Sequence, residues 1–211
     1  MTLAWSLAGC SASAPPPESA GAPPVPAAPD ASAAPSAYVE GSSDSVSVRP
    51  GSPGAQYRYR IKQVDPASDK NQFQDRDLSF YTRPTPTAVH FQVENRQDRP
   101  VQIDWDRSTF IDPYGRTTKI AHATTRWADR YGSQASTTIS GLQRYSDYVF
   151  SNEFLMDPGS SDQQLHRPLL PEDATAPQFN DATFGMDLVF LVEGQPRTYS
   201  FRFKVASVLP R

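Results

Sequence analysis

The chain has 211 residues with 21 Pro, a single Cys and a formal net charge of −3. This length predicts one or two domains, and a single Cys excludes an internal disulfide and a cysteine-based metal site. The sequence contains no apolar run of about 18 residues, so it predicts no membrane-spanning helix. It contains no Lys/Arg cluster of the kind that indicates nucleic-acid binding.

The first ten residues are mostly small or apolar and end in Leu7-Ala8-Gly9-Cys10. This tetrapeptide resembles the lipobox of bacterial lipoproteins, which implies cleavage before Cys10 and acyl chains, such as palmitate, on its thiol and new amino terminus. Two or three acyl chains, at about 0.8 kcal/mol per buried CH₂, anchor a protein stably. Because Ser11 and Ala12 follow instead of Asp, the resemblance also implies sorting to the outer membrane.

Residues 1–10 are therefore interpreted as a residual signal peptide and lipobox. A complete signal peptide begins with a basic region before its apolar stretch, and no basic residue precedes Cys10. Either the true start lies upstream or the chain is truncated. The alternative is a chance apolar N-terminus that carries a Cys.

Residues 11–54 form a tract in which 30 of 44 residues are Ala, Ser or Pro. Such a composition buries too little apolar surface to offset its conformational entropy, so we predict a disordered linker. The linker would span about 35–40 Å as a coil and about 135 Å when fully extended, which carries a domain clear of lipid headgroups. The alternative is that its prolines are a ligand for an aromatic-lined groove.

Residues 55–211 carry 19 acidic and 19 basic side chains and show a dominant period of two, typical of half-buried strands. The clearest strands are 57–62, 89–94, 101–106, and a hairpin of 184–192 with 199–205 around a turn at 193–196. Weaker strands are predicted near 77–81, 108–111, 117–122, 136–139 and 147–150. No long segment has a helical period, which predicts an all-β fold: an antiparallel β-sandwich of about seven to nine strands.

Two loops are predicted, at 123–134 and 158–179. Apolar residues of 165–171 are expected to close one end of the sandwich, and a short helix is predicted at 172–176. The stretch 101–122, with Asp104-Trp105 before Phe110-Ile111-Asp112, resembles strand pairs in Ig-like or fibronectin-like domains of bacterial envelope proteins. The resemblance implies an Ig-like domain over 55–211 and an envelope location, with no implied reaction.

The strongest acidic group is Asp104, Asp106 and Asp112. Alternation places the first two on one strand face, where a calcium site is one reading and solvated acids paired with Arg side chains are the other. The three histidines are His90, His122 and His166, and no two have metal-ligand spacing. We therefore predict no metal and no cofactor.

Aromatic and basic residues are interleaved between 126 and 148, a mixture enriched at protein interfaces and sugar-binding surfaces. The predicted binding surface consists of Arg126, Trp127, Arg130, Tyr131, Arg144, Tyr145 and Tyr148. Some of these residues could equally be ordinary core or rim residues.

Three functional hypotheses follow. The first is a non-enzymatic outer-membrane lipoprotein, anchored through Cys10, whose domain in the periplasm or at the cell surface binds or scaffolds another envelope protein. The second is a carbohydrate- or peptidoglycan-recognising module that uses Trp127 and the tyrosines. The third is a hydrolase, which would need a pocket that joins His122 or His166 to a carboxylate.

Overall fold

A computed structural model describes residues 54–211. The predictions on the lipobox, on Cys10 and on the linker up to residue 53 lie outside the described residues. Within the described residues no helix is long and apolar enough to cross a membrane.

The described part of the chain is built from strands joined by turns, loops and two short 3₁₀ segments, at Asn152–Phe154 and Ala176–Phe179. Its strands are β1 (Tyr57–Asp65), β2 (Ala67–Ser68), β3 (Gln72–Gln74), β4 (Leu78–Pro84), β5 (Val89–Asn95), β6 (Val101–Ile111), β7 (Thr117–His122), β8 (Thr137–Ile139), β9 (Arg144–Ser151), β10 (Leu155–Met156), β11 (Leu165–His166), β12 (Thr183–Val192) and β13 (Gln195–Pro210).

One antiparallel hydrogen-bonded path connects most of these strands, in the order β2-β1-β13-β12-β6-β7-β9-β5-β4-β3, with β8 paired to β6. Strand β7 joins the two halves of the path. Its first half, Thr117–Lys119, pairs with β6, and its second half, Ile120–His122, pairs with β9. The sheet therefore turns from one layer into the other at β7.

The core lies between the two layers and is rich in aromatic rings. Phe80 of β4 contacts Phe190, Tyr199 and Phe201 of β12 and β13, with ring centroids 4.9–5.5 Å apart. Phe73 of β3 reaches Phe201 as well, at 6.2 Å. Because β3 and β13 lie near opposite ends of the path, the fold closes almost into a barrel. The prediction of an all-β antiparallel fold is confirmed.

The strand number differs from the prediction of seven to nine, since residues 54–211 contain thirteen strands. Five of these have only two or three residues, too short for alternation to show clearly: β2, β3, β8, β10 and β11. Of the five, β8 alone was predicted, near 136–139. One difference lowers the number of strands, because the predicted strands 101–106 and 108–111 are a single strand, β6.

A bulge explains why β6 looked like two strands. Its alternation breaks where Asp106 and Arg107 are both exposed, and its register with β12 shifts at the same place. The Ser108 hydroxyl accepts a hydrogen bond from the Val189 backbone amide at 3.0 Å and donates to the Asp104 carbonyl at 2.6 Å. Four residues of β6, 105–108, lie opposite the single residue Leu188 of β12. A local side-chain bond thus replaces a ladder bond that this irregularity interrupts.

The C-terminal hairpin is confirmed, with a tighter turn than the predicted 193–196. Val192 pairs with Gln195, so the turn consists of Glu193 and Gly194, both with positive φ, +53° and +76°. This is the backbone of a type I′ turn, whose twist matches that of the flanking strands.

The long loop before β12 closes one end of the fold, as predicted. Leu169 and Leu170 are almost completely buried, and the Leu170 amide donates to the Pro86 carbonyl at 2.9 Å. The short helix predicted at 172–176 is replaced by the 3₁₀ turn at Ala176–Phe179.

Candidate functional site

The loop between β7 and β8 presents an aromatic and cationic cluster at the surface. The Arg130 guanidinium lies over the rings of Trp127 and Tyr131, at 4.1 and 4.6 Å from their centroids. Its Nη1 donates to the Trp127 carbonyl at 2.6 Å, and the Tyr131 hydroxyl donates to Glu153 at 3.3 Å. These contacts hold the Tyr131 side chain in place while it stays 58% exposed.

A groove of about 530 Å³ runs beside this cluster, between segments 123–128 and 155–165. Its walls include Trp127, Met156 and Leu165. Met156 and Leu165, which pair across β10 and β11, are 51% and 43% exposed. We call this feature the loop groove. It offers apolar contact area next to the Arg130 stack.

Gln164 ties the two walls of the loop groove together. Its side-chain amide donates to the carbonyls of His122 and Thr125 at 2.8 and 2.7 Å. Its side-chain oxygen accepts from the Tyr148 hydroxyl at 2.8 Å. The groove is therefore preformed, which lowers the ordering cost of binding.

The seven residues predicted as a binding surface do not form one patch. Arg126 and Trp127 line the loop groove, with Arg130 and Tyr131 beside them. The other three belong to β9, where Arg144 pairs with Glu94 at 2.9 Å and Tyr148 faces outward. Tyr145 lies on the opposite face of that strand, and both tyrosines are half-buried and pack against the core.

A buried polar cluster lies under the loop, and it brings His122 to a carboxylate. His122 stacks on Trp105 with centroids 4.1 Å apart and planes 9° from parallel. Its Nδ1 lies 3.2 Å from Oδ2 of Asp147, which also accepts a hydrogen bond from the Tyr145 hydroxyl at 2.6 Å. The side chains of His122 and Asp147 are only 7% and 3% exposed. Sequence reasoning missed Asp147, because its partner is 25 residues away in the chain.

The hydrogen bonds keep Asp147 ionised. Burial alone would raise the pKa of its carboxyl, and the bonds from His122 and Tyr145 outweigh that effect and lower it. For Tyr145, burial and then the neighbouring Asp147 raise the pKa of the phenol. The cluster therefore holds a carboxylate and a neutral phenol at neutral pH.

The hydrolase hypothesis concerns the side chains that surround His122 and His166. Within residues 54–211 no hydroxyl or thiol is hydrogen-bonded to the His122 imidazole. The Thr125 hydroxyl accepts from the His122 backbone amide instead. His166 stacks on Phe150 at 4.0 Å, and its Nδ1 contacts the Arg167 carbonyl. The structure thus brings His122, and not His166, to a carboxylate, which is the feature that the hydrolase hypothesis names.

The three acids considered for calcium bind basic and backbone groups. Asp104 pairs with Arg107 at 2.6 Å, and Asp106 pairs with Lys119 at 3.4 Å. The buried Asp112 receives both Nε and Nη2 of Arg116, at 2.8 and 2.6 Å. In the part of the chain that the structure describes, no group of three His, Cys, Asp or Glu residues could hold a metal ion.

Comparison of the chain with protein-family models, with curated proteins and with solved structures finds no match. Function is therefore inferred from the residues and their geometry.

Proposed function

We propose that this protein is a lipid-anchored, non-enzymatic lipoprotein of the bacterial outer membrane whose β domain binds or scaffolds another envelope protein. The loop groove with the Trp127–Arg130–Tyr131 stack beside it is the observation that carries the binding part. The anchor part depends on the lipobox ending in Cys10.

A protein partner fits the loop groove because apolar and cationic–aromatic contacts adjoin there. Met156 and Leu165 offer apolar side chains that gain free energy when water is removed from them. Trp, Tyr and Arg are the residues that most often dominate binding energy at interfaces. Arg130 already lies between two rings, so little side-chain entropy is lost when a partner covers it.

The proposal also includes an Ig-like fold for the β domain and a location in the periplasm or at the cell surface. Two packed layers of antiparallel strands support an Ig-like assignment, and the nearly closed sheet argues for a divergent form of it. In this proposal the linker carries the domain into the periplasm or to the cell surface.

The anchor is tested by labelling the full-length protein in growing bacteria with radioactive palmitate. Label in the wild-type protein and none in Cys10→Ala is the expected result. An unlabelled wild-type protein, or label that persists in Cys10→Ala, overturns the anchor.

The binding surface is tested by site-specific photo-crosslinking in cells. A benzophenone amino acid is placed at Met156, at Leu165 or, as a control, at Val64, which is 42% exposed in β1. We expect one envelope protein to crosslink from both groove positions and not from Val64, and Tyr131→Ala to reduce its yield. No crosslink, or identical products from all three positions, contradicts the proposal.

A further inference from the structure

A second surface lies on the outward side of the layer formed by β3, β4, β5 and β9. Alternate residues of these four strands point away from the core, and we call this surface the outer face. Its residues are Gln72, Gln74, Ser79, Tyr81, Arg83, His90, Gln92, Glu94, Arg144, Ser146 and Tyr148.

Two neighbouring hollows on the outer face share lining residues and follow the strands, and together we call them the groove of the outer face. The larger, about 560 Å³, lies toward Glu94 and Arg144, and the smaller, about 370 Å³, lies toward Arg83 and Tyr148. Tyr81 and Gln92 line both hollows. From Arg144 to Tyr148 the groove runs about 13 Å at the rise of a β-strand, enough for a short oligomeric ligand.

The side chains of this groove suit a sugar chain. Tyr81 is 44% exposed in the middle of the groove, where its ring offers a flat apolar surface to the C–H face of a sugar ring. Amide groups of Gln72, Gln74 and Gln92 lie around it. Each amide both donates and accepts hydrogen bonds, as paired sugar hydroxyls require.

The charges differ between the two ends of the groove. At one end Arg144 is neutralised by Glu94 at 2.9 Å. At the other end Arg83 is exposed, and its guanidinium has no hydrogen bond or ion pair with any residue of the range 54–211. His90 next to it has a lowered pKa, because of burial and then of Arg83, so it adds no charge at neutral pH. One end therefore offers a free cation to an anionic group.

We propose that the outer face binds an acidic oligosaccharide, with a sugar ring on Tyr81 and a sugar carboxylate on Arg83. A nucleic acid fits less well, since one unpaired guanidinium cannot neutralise a phosphate chain. A folded protein partner fits less well too. Among the described residues of this face, Tyr81 is the single exposed large apolar side chain, which leaves a protein partner little apolar area to bury. The loop groove shares no lining residue with the outer face, so this inference is independent of the proposed function.

The experiment titrates the full-length protein with tetragalacturonate and with its methyl ester, which keeps the sugar chain and removes the charge. Calorimetry is expected to show binding of both, with the acid about tenfold tighter because a charge-assisted bond to Arg83 forms. Arg83→Gln should lower affinity for the acid to that for the ester. Tyr81→Ala should weaken both ligands about tenfold or more.

Matched variants and ligands make the result decisive. Arg58→Gln, in an exposed position of β1, and Tyr131→Ala should leave affinity unchanged, and thermal melts check that every variant is folded. Glycan strands of solubilised peptidoglycan, whose carboxylates are lactyl groups, are titrated in parallel with tetragalacturonate. The comparison distinguishes peptidoglycan from a uronic-acid polysaccharide as the source of acidic sugar. The inference is overturned if neither tetragalacturonate nor the peptidoglycan strands bind, or if polyglutamate binds as well as they do. It is also overturned if Tyr81→Ala leaves the affinity for tetragalacturonate unchanged.

Discussion

Replacing Asp147 with Asn is expected to destabilise the domain by about 2–4 kcal/mol at neutral pH. The carboxylate accepts from the Tyr145 hydroxyl at 2.6 Å and from the Tyr148 amide at 2.7 Å, and contacts His122 Nδ1 at 3.2 Å. The amide oxygen of Asn can keep the backbone bond. Its NH₂ group cannot accept the bonds from Tyr145 and His122, and a hydrogen bond to a charged group contributes about 1.5–3 kcal/mol.

The same replacement should change how stability depends on pH. The pKa of Asp147 is lowered in the folded state from the ordinary value of 3.8. Its contribution is therefore present above that value and is lost as the pH falls below it. Urea unfolding of the full-length protein between pH 7 and pH 3 should show the wild type losing more stability than Asp147→Asn over this range.

Tyr145→Phe serves as the matched control, since it removes one hydrogen bond and keeps the carboxylate. We expect its cost to be about 1–3 kcal/mol, and the double variant to cost less than the sum of the single variants because they share a bond. Equal stability of Asp147→Asn and wild type at pH 7 would refute the reasoning. Parallel loss of stability in both proteins below pH 4 would refute the role of the charge.

Three further predictions concern the fold. Glu193→Asn should raise the free energy of unfolding by up to about 1 kcal/mol, since Asn tolerates the φ of +53° better; an unchanged urea midpoint would contradict this. Gly185→Ala should cost about 1–3 kcal/mol, because a Cβ there would lie 2.3 Å from the Phe201 carbonyl oxygen; a wild-type melting temperature would show that β12 shifts freely. Phe80→Ala should cost about 3–5 kcal/mol, against a small change for exposed Tyr81→Ala, and similar melting temperatures for both variants would contradict the assigned core.

The elements best predicted from the sequence are those with a strong period of two. Strands β1 and β5 and the β12–β13 hairpin lie within a few residues of their predicted positions, because one buried face imposes alternation on each strand locally. The bulge in β6 could not be located, since a shift of one residue in the pattern also fits two strands with a break. Strands of two residues carry no pattern at all.

Two tyrosines of β9 show that the sequence pattern was also insufficient at the candidate sites. Tyr145 and Tyr148 are both aromatic and differ in parity along β9, so composition did not indicate which one faces outward. The outer face also went unrecognised, since its residues come from four strands separated by loops. Only the antiparallel pairing of β3, β4, β5 and β9 brings them side by side.

The sequence by itself determined the class of fold, because alternation and turn residues act over a few positions. It also determined the neutrality of residues 55–211, which is a matter of counting. Tertiary structure alone decided that His122 meets Asp147 and that Tyr81 lies beside Gln92. Those contacts depend on strand register, in which His122 pairs with Val149 and Tyr81 with Gln92, and register is set by packing across the whole core and not by local residue type.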